Sequence, residues 1–511
     1  MSSASLWYST HPIPYRNPLN ESVYADVCVV GAGITGLSTA YLLALEGMSV
    51  AVVESGFVGQ GMTGRTTAHL SNVIDDHFTT IERIHGVDGM RLAAASHRSA
   101  IETISRVVVR ESIDCGFEYV DGYLFAGRGH TEAELNREAD SATRAGVEVE
   151  RLAAVPIPHF HTGPCLRFPY QAQFHASRYL DGLLRACLRL GVQVYTDSHV
   201  RSLESGKRCM VRVQKGAEVH SAHLVVATNV PINVPVSVHL KQSAWMTFVV
   251  GAVVPKDVVP RVLLWDMEDP YHYVRTQPLD DRLDVILVGG EDRRTGEPSD
   301  DDVLRYERLR EWTRQRFPLP MEFPYRWSGQ VMETADGLAY IGRNTLGKSN
   351  VFIATGDSGM GMTHGTIAGL LLTDLIMGRD NPWERLYSPL RLKLRALPRL
   401  LKDEVAMARH YARWTGPAEG DDPWAIPPGE GRVVNWDGEK VAAYKGSDNQ
   451  VCLMAAACPH LGGIVAWNDT EKTWDCGCHG SRFTCHGKVL SGPARDDMTP
   501  LLSPTASAVQ E

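Results

Sequence analysis

Asp26-Val-Cys-Val-Val30 and Ser49-Val-Ala-Val-Val53 are short runs of consecutive apolar residues, the pattern of strands covered on both faces. Leu37-Ser-Thr-Ala-Tyr-Leu-Leu-Ala-Leu45 lies between them and reads as a helix, giving strand, helix, strand. Further helical patterns run from about Ser96 to Arg110 and from His175 to Leu190. Leu224-Val-Val-Ala-Thr-Asn229 reads as another buried strand. From about residue 235 to 300 the chain turns strand-rich, with Trp245–Gly251, Tyr271–Arg275 and Asp284–Gly289 predicted as strands of a second sheet. Residues 383 to 415 are basic and Leu-rich, with Pro398 expected to break the helical pattern of Arg391–Lys402. That segment is either a membrane-surface helix or packing for the preceding domain. Gly416 to Gly431 reads as a linker, and short strands and turns follow from about 432.

A chain of 511 residues has room for two or three domains. Its net charge of −9 argues against nucleic acid as a main partner. No apolar run approaches the roughly eighteen residues of a membrane span. Residues Met1 to Asn20 are polar and do not read as a signal peptide. Ten scattered cysteines in a chain this long are not a disulfide framework, so a reducing cytoplasm is the expected setting.

The first helix is preceded at once by Gly31-Ala-Gly33-Ile-Thr35-Gly36, and the second strand ends in Glu54. The glycines permit a tight turn and close backbone approach to a pyrophosphate, the helix N-terminus favours the phosphates, and the acid suits ribose hydroxyls. Strand, G-x-G-x-x-G, helix, strand and acid together predict dinucleotide binding. Near the other end of the module, Asn350–Thr355 and Gly356-Asp-Ser-Gly-Met360-Gly361-Met362-Thr363 form a second glycine-rich strand-to-helix turn, opening a helix over Thr366–Met377. Such a helix N-terminus stabilises negative charge on a reduced flavin edge.

Cys458-Pro-His460, fifteen residues, and Cys476-Gly-Cys-His479 read as C-x-H-x15-C-x-x-H. Two thiolates and two imidazoles in this order are a ligand set for a Rieske-type [2Fe–2S] cluster. Structural zinc is the alternative, and a Gly-rich loop beside each pair argues against it.

Cys458–Gly463 and His479-Gly-Ser-Arg-Phe483 closely resemble the two cluster loops of Rieske proteins. The N-terminal motifs, with Gly56–Leu70, Val192–Val200, Trp327-Ser-Gly and Thr334-Ala-Asp-Gly…Gly342, resemble the D-amino-acid-oxidase-like superfamily of FAD enzymes over roughly residues 22 to 380. This superfamily includes glycine oxidases, sarcosine and dimethylglycine dehydrogenases and polyamine-derivative oxidoreductases, and a subset carries a C-terminal Rieske domain.

The resemblance implies an α/β FAD-binding Rossmann-type domain with an inserted antiparallel-sheet substrate domain, plus a C-terminal all-β Rieske domain. The expected organisation is an extension over 1–22 and an oxidoreductase domain over 23–382. Its FAD-binding parts are about 23–90, 170–232 and 325–382, and its substrate-domain parts about 91–169 and 233–324. A helical segment and linker over 383–431 and the Rieske domain over 432–505 follow. Cofactor contacts are expected from Gly31, Gly33, Thr35, Gly36, Glu54, Arg65, Thr66, Thr67, His69, Val200, Thr228, Gly356, Met360, Gly361, Met362 and Thr363, and cluster ligation from Cys458, His460, Cys476 and His479.

His69 falls where some relatives bond the flavin covalently, the alternative being an ordinary contact. Respiratory Rieske proteins place a Cys at the position of Gly463, paired with the one at Cys478; here that partner is missing. High-potential members carry a Tyr where this chain has Phe483, beside a Ser matched by Ser481. A potential in the lower part of the Rieske range, which begins at about −150 mV, is expected. Glycine-oxidase-like members hold a substrate carboxylate with an Arg before T-x-D-G, but Gly329–Glu333 has none and offers Glu333 as partner of a positive group instead, which favours an amine or another substrate held elsewhere. Tyr271, Tyr273, Arg275 and Glu333 are the candidate substrate-pocket residues, with Arg275 an alternative carboxylate anchor.

The expected activity is oxidation of a C–N bond in an amine or amino-acid-like substrate by hydride transfer to flavin. Electrons would then pass through the cluster to a soluble acceptor. An O2-using oxidase with a structural or regulatory cluster is one alternative, and a reductase running the other way is another, its partner a soluble donor. A Rieske oxygenase would need a His/His/carboxylate iron site that has no matching motif, and a redox sensor would need no substrate. The sequence is silent on oligomeric state.

Overall fold

A computed structural model describes residues 5–232, 236–297, 302–344 and 350–502. The first sheet is ordered Gln193–Tyr195, Val50–Val53, Val23–Val30, Glu218–Val226, Val351–Thr355, all parallel, with Tyr340–Arg343 antiparallel at the edge. Val27 to Val30 are buried because helices cover the sheet. The helices Ile34–Leu45 and Gly361–Ile376 lie against each other so closely that a Cβ on Gly369 would sit 3.1 Å from Ser38. The second of them begins five residues before the expected Thr366.

The second sheet runs Glu322–Thr334, Gln242–Pro255, Leu283–Arg294, His272–Pro278, Val262–Asp266, Glu118–Phe125, Cys165–Gln173, His69–Leu70. It is not purely antiparallel: Val262–Asp266 pairs in parallel with Glu118–Phe125. Those two strands are separated by more than a hundred residues, so a long crossover joins them, as a parallel pair requires. The sheet also takes in His69–Leu70 and Glu322–Thr334. Segments expected in the FAD-binding parts therefore form the edges of the substrate sheet.

The helix expected from Ser96 begins at Phe78 and runs to Arg110, with a break at Gly86, whose φ of +76° interrupts the apolar period. Pro398 does not break the basic Leu-rich segment. It lies in the first turn of the helix Leu397–Ala412, where its missing N–H leaves no hydrogen bond unmade. The residues before it are anchored to the oxidoreductase module through Arg391, which is buried. No helix among the described residues is long and apolar enough to cross a membrane. The polar N-terminus also folds inward: Leu6 and Trp7 are buried, and Trp7 Nε1 donates to the Thr66 carbonyl at 2.5 Å.

The C-terminal module consists of two four-stranded antiparallel sheets. One joins Gly431–Trp436, Glu439–Lys445, Val451–Ala455 and Pro500–Leu502; the other joins Val465–Asn468, Thr473–Cys476, Arg482–Thr484 and Val489–Ser491. Phe483 and Trp474 fill the core between them. The expected ends at residues 1–4 and 503–505 lie outside the described residues.

Candidate active site and iron–sulfur centre

A cavity of about 390 Å³ opens at the C-terminal ends of the parallel strands. Gly31 and Gly36 make its cradle. Gly31 has φ +108°, and a Cβ on Gly36 would lie 1.8 Å from the Gly31 carbonyl oxygen, so the turn tolerates no side chain. Gly33 caps the helix Ile34–Leu45, whose N-terminus lies at the cradle, with Ile34 N–H donating to Thr63 Oγ1 at 3.0 Å. Glu54 accepts from Ala32 N at 2.8 Å and from Gly56 N at 3.1 Å, so its carboxylate also ties the strand end to both glycine loops.

Of the expected cofactor residues, Gly31, Gly33, Thr35, Glu54, Arg65, Thr66, Thr67, His69, Val200, Thr228, Met360, Gly361 and Met362 line this cavity. Three lie behind it. Gly36 packs under Gly31, and Gly356 makes the turn with φ +70°. Thr363 is hydrogen-bonded to His97 Nδ1 at 2.8 Å inside the protein. His69 is in the wall with both ring nitrogens engaged, Nδ1 by Thr67 Oγ1 at 3.0 Å and Nε2 by the Val274 carbonyl at 3.2 Å. Burial, then the nearby Arg275 charge, push this imidazole down to about 3, so it is neutral.

Arg275 does not reach the cavity. Its Nη1 donates to the carbonyls of Thr67, Ala68 and Phe174 at 3.0, 2.9 and 3.1 Å, and its guanidinium lies over Trp7. Carbonyls that would otherwise be buried unpaired occupy the fork expected to hold a carboxylate. The residue shapes the Thr66–His69 loop. Glu333 is also outside the wall. It pairs with Arg399 at 3.1 Å, and Arg399 Nη1 holds Asp76 at 2.6 Å. Within Gly329–Glu333 it is Gly329, Gln330 and Val331 that line the wall.

Tyr271 and Tyr273 do line the cavity, with Thr247 and Trp265. Their ring centroids are 5.6 Å apart, and the Tyr273 hydroxyl is 2.8 Å from Thr247 Oγ1. Two acids that sequence reading passed over complete this end: Asp75 and Asp357. Burial first, then Asp76, Asp292 and Asp357, push the Asp75 carboxyl up to about 7. Burial pushes Asp357 up to about 6, and Asp292 behind the tyrosines up to about 7. The Asp75-Asp76 pair after the apolar Val73-Ile74 was the only local hint. The wall arginines are engaged elsewhere or sit at the other module: Arg65 on Glu471, Arg482 on Asp475, and Arg495 beyond the cluster loops.

Two tight loops bring the cluster ligands together. Cys458 N donates to Gly463 O at 2.8 Å and Gly462 N to Cys458 O at 2.9 Å; Cys476 N donates to Ser481 O at 2.8 Å and Gly480 N to Cys476 O at 3.0 Å. The imidazole centroids of His460 and His479 are 5.0 Å apart. The Cys458 thiol is pushed far up by its hydrogen bond with Cys476 and by burial, the cost of two sulfurs sharing one buried place until metal relieves it. His460 Nδ1 is buried without a hydrogen-bond partner among the described residues, a ring nitrogen free for metal. This donor set fits a [2Fe–2S] cluster, as the glycine cradle and cavity fit FAD.

A Cβ on Gly463 would lie 2.4 Å from Cys478 Sγ. The Gly463→Cys variant is therefore expected to form a disulfide with Cys478 after small adjustment. It would close a short loop and stabilise the cluster-free module by about 3 kcal/mol. Mass spectrometry would show the loss of two hydrogens, and an unchanged thiol count would refute the pairing.

The modules meet over the cavity. Val489, Leu490, Ser491, Gly492, Ala494 and Arg495 complete its wall. Arg65 Nη1 donates to Glu471 at 2.9 Å and Ser328 Oγ donates to the same carboxylate at 2.7 Å, while Arg294 pairs with Asp403 of the connecting helix Leu397–Ala412.

A glycine-cradled dinucleotide site sharing a wall with a two-Cys, two-His module defines a FAD-dependent oxidoreductase with a Rieske [2Fe–2S] domain. Residues 26–375 match the DAO family of FAD-dependent oxidoreductases and residues 422–503 the Rieske [2Fe–2S] domain, so the chain belongs to the DAO family and carries a Rieske domain. It is 30% identical over 491 residues, 96% of this chain and 95% of the other, to the putative Rieske 2Fe-2S iron-sulfur protein YhfW of Bacillus subtilis (strain 168). It is 28% identical over 374 residues to gamma-glutamylputrescine oxidoreductase of Escherichia coli (strain K12), covering 70% of this chain and 85% of that one. Glycine oxidase from Geobacillus kaustophilus shares the fold, with a TM-score of 0.59 at 20% identity, over 72% of this chain and 99% of that one.

Proposed function

We propose that this protein oxidises the C–N bond of an amine held as a cation, and that its Rieske domain relays the electrons to a one-electron acceptor. The observation that carries the substrate half is the pair of carboxylates, Asp75 and Asp357, in the aromatic end of the cavity wall. Asp75 has no cationic partner among the described residues. Tyr271, Tyr273 and Trp265 add aromatic rings, whose faces suit an ammonium group. A carboxylate substrate would meet like charge there. The likeness to gamma-glutamylputrescine oxidoreductase, an amine-named relative, agrees with this reading.

When bound, FAD takes up a hydride and the [2Fe–2S] cluster passes electrons singly. The residues of this chain supply the rest. Asp75, with its carboxyl pushed up to about 7, accepts the ammonium proton and so frees the nitrogen lone pair. The α-carbon then loses its C–H bonding pair as hydride while the C=N bond forms. Tyr273 is held by Thr247, and Tyr271 stands against it, so the aromatic wall keeps one orientation. Arg275 holds the Thr66–His69 loop in place from behind.

Anaerobic mixing with panels of amines and amino acids tests both halves. Flavin bleaching by amines, with a rhombic Rieske EPR signal in the same sample, is the expected result. Bleaching by amino acids alone would refute the cation reading. Bleaching with a cluster that stays oxidised would refute the relay.

A further inference from the structure

Gln330 belongs to the wall of the FAD cavity and is 2% exposed. Its Nε2 donates to the Gly480 carbonyl at 2.9 Å, with Thr295 Oγ1 at 3.4 Å as a second neighbour. A carbonyl only accepts, so the amide nitrogen must face it, and the orientation of this amide is settled by its partner. Gly480 is peptide-bonded to His479. The wall is therefore one hydrogen bond and one residue from a cluster ligand.

The surroundings hold this contact still. Ala494, also in the wall, donates its N–H to Ser481 Oγ at 3.0 Å, and that hydroxyl is hydrogen-bonded to Cys458. Arg65–Glu471 joins the two modules directly, and Arg294–Asp403 ties the connecting helix Leu397–Ala412 to the oxidoreductase module. His239 of the oxidoreductase module is 3% exposed and faces both cluster imidazoles, with ring centroids 5.2 and 5.7 Å away. The imidazole edge of the cluster thus points into the neighbouring module.

We propose that Gln330 is the positioning residue for electron exchange between the two cofactors. It fixes Gly480, and with it His479, against the cavity wall, so that electrons cross inside the chain without movement of the Rieske module. This rests on the relay reading above. Each crossing takes one electron from the cofactor in the cavity and adds one to the cluster, with no atom or proton crossing the hydrogen bond. The second electron follows once a one-electron acceptor has emptied the cluster.

The test needs no amine. In anaerobic holoprotein, flavin is photoreduced with EDTA as donor. Its absorbance is followed while freeze-quenched samples report the Rieske EPR signal. Wild type is expected to show cluster reduction without lag behind the flavin. Gln330→Met, close in size and lacking the donor, should keep the absorbance of both cofactors and the cluster g-values but show a lag. Asp403→Asn, which breaks the pair between the oxidoreductase module and the connecting helix, should keep the wild-type timing. Gln330→Leu provides a second variant if the Met protein does not load both cofactors. Wild-type timing in the loaded Gln330 variant, or an equal lag in Asp403→Asn, would overturn the proposal. A wild-type cluster that stays oxidised while flavin is reduced would overturn the relay itself, and this proposal with it. Failure of the amine reading alone would leave the experiment unchanged.

Discussion

Asparagine in place of Asp75 is expected to weaken capture of a cationic amine by roughly 10- to 150-fold, the worth of about 1.5–3 kcal/mol for a hydrogen bond to a charged group. Asp75 faces the cavity beside Tyr271 and Tyr273, with Asp76, Asp292 and Asp357 as its charged neighbours. These neighbours and burial raise its carboxyl to about 7, so it is ionised only at and above neutral pH. Affinity for tetramethylammonium, a cation that does not titrate, should therefore fall as pH drops through 7, and that dependence should be weaker in the Asn variant, where Asp292 and Asp357 still titrate in this range. Calorimetric titration across pH reads both effects.

The same shift has an opposite consequence for stability. In the unfolded chain Asp75 loses its proton near its ordinary 3.8, well before it does so in the folded protein. Stability is therefore lost as pH rises from there toward 7, and Asn should remove the loss. The variant should melt higher than wild type at alkaline pH while binding the cation worse. Equal melting and equal binding would together rule out Asp75 as the cation's partner.

Removing the Arg391 side chain to methionine is expected to cost about 3–5 kcal/mol, because it strands a buried carboxylate. Arg391 and Asp336 have side chains 4% and 3% exposed. Nε and Nη2 of the arginine each reach the Asp336 carboxylate at 2.7 Å, Nη1 donates to Ala339 O at 2.6 Å, and the guanidinium lies 4.0 Å from the centre of the Tyr340 ring. Burial pushes Asp336 up, but the charge and hydrogen bonds of Arg391 outweigh it and hold the carboxyl below the usual range. That contribution is present above the ordinary carboxylate pKa and is lost as pH falls through the lowered folded value. Urea unfolding at neutral pH should show the loss, and Asp336→Asn in the Arg391→Met background should recover much of it. An Arg391→Met protein with an unchanged midpoint would exclude this pair as an anchor.

This pair also shows why the basic Leu-rich segment was hard to read. Arg391-Leu-Lys-Leu-Arg looks like a surface helix in isolation, because the partner of its first residue is 55 positions earlier. Pro398 looks like a break, since only the geometry of the first turn reveals that no hydrogen bond is missing. Arg275 resembled a carboxylate anchor for a similar reason: the three carbonyls that engage it come from two distant segments. Asp75 and Asp357 stand 282 residues apart in number and meet only across the cavity, so no spacing rule joins them.

The sequence alone determined the glycine turn, the acid at the end of the second strand and the set of two Cys and two His that fits a cluster. The glycines share one turn and each Cys/His pair shares one loop, so within each of them adjacency in the chain is adjacency in space, and a single strand–helix–strand unit brings Glu54 back to the glycine turn. Tertiary structure alone decided which side chains are left to face a substrate and how the two cofactor sites meet. Buried carbonyls and carboxylates claim Arg275, Arg391 and Arg65, and what remains unclaimed at the end of the wall beside Tyr271 and Tyr273 is acid and aromatic. Gln330 reaches Gly480 across 150 residues, a contact that exists only because two separately folded modules pack on one cavity.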